Sequence, residues 1–351
     1  MNLQERLEAL AAADFAGAWA GTPTAEDWLA YVRAELGHES ALEGFITLAG
    51  RMTRALAPDP LLHIVSGNTP HAAVQSVARG LALGSRNLVK LPGAGLPDFS
   101  AFVASLPPVL RQRVEISRTL PNAWQDAAEA LVVIGSDETI AEFQRRRQPE
   151  QRLFAFGHKF SIGIVHGDWT DVTARHAAED ICRDDQLGCL ALQTVFVERD
   201  APGFAKAVAA SMRGGQMPEP GSAATVMARR HEDLLAEALG EPVQVWRSGE
   251  ALDWTVVFDG RTQWQGSPGY RYGIIRPMEL LYPMPIPHLS TIGLWPCDLA
   301  HANRWLCLGA TRYAPLGQMQ HPPLAWHQDG FPALGQLVRW IDFEPENAPA
   351  V

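Results

Sequence analysis

The 351-residue sequence has few cysteines and no long apolar run. Its four cysteines include no CxxC pair, which excludes a disulfide framework and a cysteine-rich zinc site, so we expect reduced thiols. Glu5, Arg6 and Glu8 interrupt the stretch where a signal peptide needs an apolar core, and no later run approaches the length of a membrane span. The sequence therefore predicts a cytoplasmic protein without a membrane span.

Positive charge is also scarce. The chain has 29 Lys and Arg residues against 39 Asp and Glu residues, a net charge of −10. This balance argues against a broad binding surface for nucleic acid, so we expect no nucleic-acid partner and favour a small-molecule substrate. Neither a GxGxxG nor a GxxxxGK[ST] motif is present, so no standard dinucleotide or P-loop motif supports a nucleotide site.

From residue 61 onward, short apolar runs alternate with helical segments. Strands that alternate with helices predict a mainly parallel, doubly wound α/β sheet. The alternation repeats less regularly in the second half, and this pattern predicts a second α/β domain.

The first 60 residues are predicted to form a helical lead-in. Thr24 and Asp27 have the spacing of a capping box ahead of one helix. Apolar spacing of three and four predicts another helix over ALEGFITLAGRMTRAL, residues 41–56. The stretch RGGQMPEPGSAA, residues 213–224, is predicted to be a mobile loop because it is rich in Gly and Pro.

The segment HIVSGNTPHAAV predicts a strand, a tight turn and a helix. Its turn lies at the carboxyl end of a strand, where doubly wound sheets bind ligands, so the Asn68 amide could donate a hydrogen bond to a developing oxyanion. The alternative is an asparagine that merely tolerates the turn, and the residues alone favour it.

Two further strand ends carry candidate cofactor ligands. Lys90 ends the strand NLVKL and is followed by the small-residue loop that begins at Pro92, so it could hold a ribose or a phosphate. A solvated lysine explains it equally well. Gly135 and Ser136 follow another strand and open a helix whose N-terminal amides could face a phosphate.

Cys189 follows Gly188 and precedes an apolar strand in DDQLGCLALQTVFVE, a position that can present its sulfur at a sheet edge. A lone cysteine is more often a buried, inert hydrophobe. His158 and His327 could polarise a thiol or a substrate carbonyl, and each could as easily make only a loop contact.

In order and spacing, these segments resemble the aldehyde dehydrogenase superfamily, and within it the acyl-CoA reductases of bacterial luminescence systems. The resemblance runs from about residue 61 to 200 and resumes in RYAPLGQMQHPPLAWHQDGFPALGQLVRW. It implies two doubly wound α/β domains with the active site between them. The nicotinamide dinucleotide-binding domain would occupy residues 61–156, and the catalytic domain would occupy residues 157–351.

The resemblance also implies a role for each candidate. GNTP resembles the oxyanion turn, NLVKLP the strand that contacts the cofactor ribose, and DQLGCLALQTVFVE the loop of the nucleophile. The implied catalytic residues are Cys189, Asn68, His158 and His327, and the implied cofactor-binding residues are Lys90, Pro92, Gly135 and Ser136.

One departure from the superfamily pattern indicates the reaction. Aldehyde-oxidising members carry a glutamate that activates water where this chain has Ala155. Loss of a general base typically lowers the rate of the step that it assists by two to four orders of magnitude. Hydrolysis should therefore be slow, and an acyl-enzyme should survive to be reduced to an aldehyde. The loop after Lys90 lacks a carboxylate that would repel a 2′-phosphate, which favours NADPH, with Arg79 or Arg86 as candidate phosphate ligands.

The expected substrate is a thioester of CoA or of an acyl carrier protein, and a homodimer is expected by analogy. Three alternatives remain open. The chain could reduce acyl phosphates, it could be a cysteine hydrolase or acyltransferase without a nicotinamide, or it could be a non-catalytic relative that acts as an interaction partner.

Overall fold

The computed structural model describes residues 1–67, 70–215, 217–249 and 252–344. Asn68 lies outside the described residues. The chain divides into two compact units. The first unit comprises Met1–His158 together with the described residues from His321 onward, and the second comprises Lys159–Gln320.

The first unit is built around a parallel five-stranded sheet. Its elements, in chain order, are α1 (Leu3–Ala11), α2 (Ala25–Leu36), β1 (Ile46–Leu48), β2 (Arg51–Leu56), β3 (Leu61–Ile64), α3 (Pro70–Leu83), β4 (Asn87–Lys90), α4 (Pro97–Ser105), α5 (Pro108–Arg111), β5 (Val114–Ser117), α6 (Asn122–Ala127), β6 (Ala130–Ile134), α7 (Asp137–Arg146) and β7 (Arg152–Phe156). The strand order is β5-β4-β3-β6-β7, and every neighbouring pair is parallel.

This order confirms the predicted doubly wound sheet. The chain moves outward from β3 to β5, then crosses back to β6 and β7, so the direction of winding reverses between β3 and β6. Successive side chains of β3 point to opposite faces of the sheet, and helices cover both faces. Leu61 packs in the core cluster that contains Val77 of α3, whereas Leu62 packs in the cluster that contains Phe143 of α7. The carboxyl ends of β3 and β6 therefore frame a crevice of the kind that binds ligands in open α/β sheets.

The second unit contains a seven-stranded sheet. Its elements are β8 (Phe160–Val165), α8 (Asp171–Cys182), β9 (Leu192–Val197), α9 (Ala201–Ser211), α10 (Pro220–Ala238), β10 (Val243–Arg247), β11 (Thr255–Asp259), β12 (Tyr272–Pro277), β13 (Leu289–Trp295), α11 (Leu299–Arg304) and β14 (Arg312–Pro315). The order is β10-β11-β12-β9-β8-β13-β14, parallel except for the pair formed by β10 and β11. Val195 of β9 packs in the cluster that contains Phe204 of α9, and Phe196 packs in the cluster on the opposite face.

The helix predicted over residues 41–56 was wrong. After a short 3-10 turn at Glu39–Leu42, the segment forms β1 and β2, which pair as an antiparallel hairpin. Ala49 and Gly50 make the turn with φ values of 49° and 79°, a left-handed conformation that glycine adopts at no steric cost. β15 (Arg339–Phe343) then adds to β2 in antiparallel register. Pairing with a distant strand overrode the helical spacing.

The C-terminal segment was expected in the catalytic domain, yet its described residues group with the first unit. Besides the pairing of β15 with β2, the Glu35 carboxylate accepts hydrogen bonds from the backbone N–H groups of Ala333, Leu334 and Gly335 at 2.9 to 3.1 Å. Arg152 of β7 donates to the Val338 carbonyl at 2.8 Å. These bonds tie the returning chain to α2 and β7.

The predicted mobile loop over 213–224 was wrong in its second half, because α10 begins at Pro220, which suits the first position of a helix. Among the residues that the structure describes, no helix is both long enough and apolar enough to cross a membrane.

Candidate active site

Cys189 lies in a turn at the amino-terminal edge of the sheet in the second unit. The turn closes between Gly188 and Ala191, whose N–H donates to the Gly188 carbonyl at 3.0 Å, and β9 starts at Leu192. The Cys189 side chain is exposed. A substrate can therefore reach the sulfur from solvent, which a buried structural cysteine would not allow.

A buried hydroxyl fixes the backbone of this cysteine. Ser161 of β8 is fully buried and donates to the Cys189 carbonyl at 2.7 Å. The same hydroxyl accepts a hydrogen bond from the Thr291 N–H of β13 at 3.2 Å. The cysteine is thus held by two strands of the sheet rather than by a loop alone.

Gln186 anchors the other side of the turn. This side chain is 1% exposed, and its amide donates to the Leu192 carbonyl at 2.7 Å, while its oxygen accepts from the Tyr272 N–H at 2.8 Å. Gln186 and the two preceding residues, Asp184 and Asp185, all have positive φ, an uncommon conformation that the surrounding bonds must impose. Asp185 forms an ion pair with the buried Arg271.

A positive charge faces the cysteine from β14. Burial lowers the pKa of Arg312, and the opposing charges of Asp180 and then Cys189 raise it. The Arg312 guanidinium donates to the Met319 and Gln318 carbonyls at 2.5 and 3.3 Å, which hold it in place. A guanidinium in this position favours the thiolate form of the cysteine.

The described cofactor candidates meet at one edge of the sheet in the first unit. Lys90 ends β4 in register with Ile64 of β3, and Gly135 and Ser136 follow β6, which pairs with β3 on its other side. A Cβ on Gly67 would lie 3.5 Å from the Pro92 ring. Parallel strands bring these carboxyl ends together at the crevice between β3 and β6.

The helix predicted to open at Gly135 and Ser136 is α7, and Ser136 caps it. Its hydroxyl accepts from the Thr139 N–H at 3.3 Å. A Cβ on Gly135 would lie 3.4 Å from the Thr139 side chain, in van der Waals contact with it. The N-terminus of α7 carries the partial positive charge that suits a phosphate, although Asp137 and Glu138 in its first turn oppose an anion there.

Arg118 was not found from the sequence. It follows β5 directly, and Ser117 is in register with Lys90, so Arg118 belongs to the same edge of the sheet. Its Nη2 lies 3.3 Å from the position that a Cβ on Gly95 would occupy, in the loop after Lys90. Only the position of this arginine after a strand could have indicated it.

The two arginines proposed for the 2′-phosphate do not lie at this edge. Arg79 is buried in α3 and donates to the Gln328 side chain at 2.7 Å. Arg86 precedes β4 and so lies at the opposite edge from Lys90, where it pairs with Asp59 at 3.7 Å.

His158 and His327 both have exposed side chains in the first unit, and the Cys189 turn belongs to the second. The His158 N–H donates to the Asp137 carboxylate at 3.3 Å. The His327 carbonyl accepts from the Gly330 N–H at 3.1 Å in a tight turn. These bonds use backbone atoms, and a catalytic role for either imidazole stays a prediction.

Comparison with known proteins identifies the family. The model of the acyl-CoA reductase (LuxC) family matches residues 24–340. Among curated proteins, long-chain acyl-protein thioester reductase 2 of Photobacterium leiognathi is 24% identical over 185 residues, 48% of this chain and 38% of that protein. Long-chain acyl-protein thioester reductase of Aliivibrio fischeri is 22% identical over 178 residues, 47% of this chain and 37% of that protein. The match thus spans well under half the length of these relatives.

Solved structures show the same fold. The NAD+ complex of an aldehyde dehydrogenase from Bacillus cereus has a TM-score of 0.67 at 12% identity and covers 98% of this chain and 84% of that one. An NADP-dependent glyceraldehyde-3-phosphate dehydrogenase from Bacillus halodurans, complexed with NADP, has a TM-score of 0.63 at 13% identity and covers 98% and 87%. The chain has the aldehyde dehydrogenase fold and belongs to the LuxC family of acyl-CoA reductases.

Proposed function

We propose that this protein is an acyl-CoA reductase that forms an acyl thioester on Cys189 and converts it to an aldehyde. The observation that carries this proposal is the exposed Cys189 thiol on a backbone that buried side chains fix from two sides. Family membership and the names of the curated relatives support a thioester of CoA or of an acyl carrier protein as the substrate.

The residues of the chain account for the first half of the reaction. Arg312 favours the Cys189 thiolate, which attacks the carbonyl carbon of the acyl thioester and expels the CoA thiolate. Ala155 of β7 has no group that could activate water, so hydrolysis of the acyl-enzyme should be slow. The acyl group therefore persists on the sulfur until it is reduced.

We propose NADPH as the cofactor, bound by the first unit, while the second unit carries the nucleophile. Lys90, the Pro92 loop and the Gly135–Ser136 pair would hold the dinucleotide at the crevice between β3 and β6. The exposed Arg118 would pair with the 2′-phosphate. When bound, NADPH supplies the hydride that reduces the acyl group to the aldehyde.

We also propose a homodimer. β15 is an edge strand whose five residues are all exposed, including Trp340, Ile341 and Phe343. Such an edge offers unpaired backbone N–H and C=O groups to a second strand, and a two-fold axis would bring the same edge of another copy against it.

Intact-protein mass spectrometry tests the activity. Wild type, Cys189→Ala and Cys307→Ala are incubated with a panel of acyl-CoA esters without nicotinamide, and NADPH is then added. We expect an acyl adduct on wild type and on Cys307→Ala, because Cys307 is also exposed but lies outside the Cys189 turn. NADPH should discharge that adduct as aldehyde, and Cys189→Ala should form none.

The same experiment separates the alternatives. An adduct that persists on wild type after NADPH is added, or an adduct that survives in Cys189→Ala, would reject the proposal. A second incubation replaces the CoA esters with acyl phosphates, and adducts formed only from acyl phosphates would indicate the acyl phosphate reductase reaction instead.

A further inference from the structure

A cavity of about 460 Å³ opens at the carboxyl edge of the sheet in the second unit. Its charged walls are Glu198, which follows β9, Glu279, which lies just after β12, and Arg304, which ends α11. The volume lies within the range of roughly 300 to 1,000 Å³ that is typical of small-molecule sites, and open α/β sheets bind ligands at this edge. Cys189 precedes β9 at the opposite edge, so the proposed reduction gives this cavity no role.

A buried histidine holds two walls of the cavity in place. His166 follows β8 and is 5% exposed. Its Nε2 accepts a hydrogen bond from the Trp305 indole N–H at 2.8 Å, and its Nδ1 lies 3.4 Å from the Glu198 carboxylate. The Gly167 N–H donates to the same carboxylate oxygen at 2.7 Å. The aromatic wall and one acidic wall are therefore ordered before a ligand binds, which reduces the conformational entropy lost on binding.

Arg304 faces the acidic walls without forming an ion pair. The Gly167 N–H is the main cause that lowers the pKa of Glu198, against partial burial, and the buried imidazole and then the Arg304 charge lower it further. The guanidinium stacks on the aromatic wall, 5.3 Å from the ring centroid, and has no hydrogen bond or ion pair with any described residue. The Glu279 carboxylate has none either among those residues. Both residues are exposed, so a cation and a carboxylate of one cavity are open to a ligand.

The rest of the lining is apolar and consists of Met278, Leu281, Pro283 and the Trp305 ring. A phosphate ester is disfavoured because two carboxylates repel it, and a purely apolar ligand would displace water from charged groups without replacing its hydrogen bonds. An amine that carries no carboxylate would leave Arg304 without an acceptor. A zwitterion with an apolar side chain matches the cationic, acidic and apolar walls together.

We propose that this cavity binds a free α-amino acid with an apolar side chain. The carboxylate of the amino acid accepts two hydrogen bonds from the Arg304 guanidinium, and its ammonium donates to Glu198 and Glu279. Its side chain covers the apolar lining. This binding does not depend on the proposed reductase activity, and the failure of either proposal leaves the other standing.

Isothermal titration calorimetry of the full chain, without acyl-CoA or NADPH, tests the site. The probes are L-leucine, L-methionine and L-phenylalanine, and at least one should give saturable heat with one-to-one stoichiometry. Analogues of that amino acid that lack one charge, which for leucine are 4-methylpentanoate and 3-methylbutylamine, should bind about tenfold more weakly or worse. No saturable heat with any of the three amino acids would overturn the proposal, as would an analogue that binds as tightly as its amino acid.

Variants then locate the site. Arg304→Gln and Glu279→Gln should each raise Kd by roughly tenfold or more, because each loses a charge-assisted hydrogen bond to the ligand. Arg175→Gln and Glu232→Gln remove exposed charges of the same unit that do not line the cavity, and they should keep the wild-type Kd. Melting temperatures of all four variants should stay near that of wild type, because each change is made at an exposed residue. An unchanged Kd in Arg304→Gln and in Glu279→Gln would overturn the proposal.

Discussion

At the residue scale, the charge of Arg312 should govern the reactivity of Cys189. A guanidinium beside a thiol stabilises the thiolate, so Arg312→Gln should move the pH midpoint of Cys189 alkylation upward. Near pH 7 the alkylation rate should fall several-fold, because a smaller fraction of the thiol is then ionised. Iodoacetamide kinetics across pH, followed by intact mass, measure both quantities.

Two further variants separate charge from structure in this experiment. Arg312→Lys keeps the positive charge and should recover most of the rate. Arg199→Gln removes an exposed arginine of the same unit, paired with Asp168 at 3.0 Å, and should leave the midpoint unchanged. A loss in Arg312→Lys as large as that in Arg312→Gln would indicate that Arg312 only supports the fold.

Arg118 should determine the choice between the two nicotinamide cofactors. A cation at the loop after Lys90 attracts the 2′-phosphate that only NADPH carries, so Arg118→Ala should lower kcat/KM for NADPH by about 10- to 100-fold and leave NADH almost unaffected. Steady-state rates with both cofactors provide the measurement. Arg86→Ala is the control at the opposite edge of the sheet. An equal loss of kcat/KM with both cofactors would show that Arg118 does not distinguish them through the 2′-phosphate.

At the element scale, the sequence predicted the elements that local signals define. The helix that begins after Ser136 and the strand after Cys189 both rest on neighbouring residues, whereas the predicted turn at Asn68 lies outside the described residues. The hairpin of β1 and β2 was not predicted, because its pairing with β15 joins residues nearly 300 positions apart. Arg118 and Arg312 were not predicted because each lies near a loop from another part of the sheet, the loop after Lys90 and the Cys189 turn.

A buried titratable group lies where β3 packs against α3 and pairs with β4. His63 is fully buried, and its ring nitrogens bond the Ser76 hydroxyl at 2.8 Å and the Asn87 oxygen at 2.9 Å. A side chain on Gly80 would collide with Asn87, so the helix approaches β4 closely at this point. Burial lowers the pKa of His63 from 6.5 to about 4, so the imidazole is neutral in the folded protein.

This depressed pKa predicts acid destabilisation between pH 6.5 and 4. The unfolded chain binds a proton at His63 in that window and the folded protein does not, so the stabilisation is complete above pH 6.5 and is lost as the pH falls toward 4. The loss should be about 3 kcal/mol at roughly 1.4 kcal/mol per pH unit across that window. Urea unfolding at a series of pH values should show it as a steeper slope in wild type than in His63→Gln.

His231→Gln is the matched control, because this histidine is exposed on α10 in the second unit. It should keep the wild-type slope. Parallel stability curves for wild type and His63→Gln would show that His63 is not the group whose protonation opposes folding.

At the scale of the whole molecule, the edge of β15 should determine the oligomeric state. Within the described part of the chain, β15 has three exposed apolar side chains and no strand beyond it, and pairing with a second copy would cover this edge. Ile341→Lys places a charge in that contact and should convert a dimer to a monomer while the catalytic thiol remains reactive. Light scattering coupled to size exclusion, with iodoacetamide labelling of each fraction, measures both properties.

Leu239→Lys is the control. Leu239 is 71% exposed, against 39% for Ile341, but it lies just after α10 and outside this sheet. This substitution should therefore leave the dimer intact. A wild type that is monomeric at high concentration, or an Ile341→Lys variant that stays dimeric, would show that β15 does not form a dimer contact.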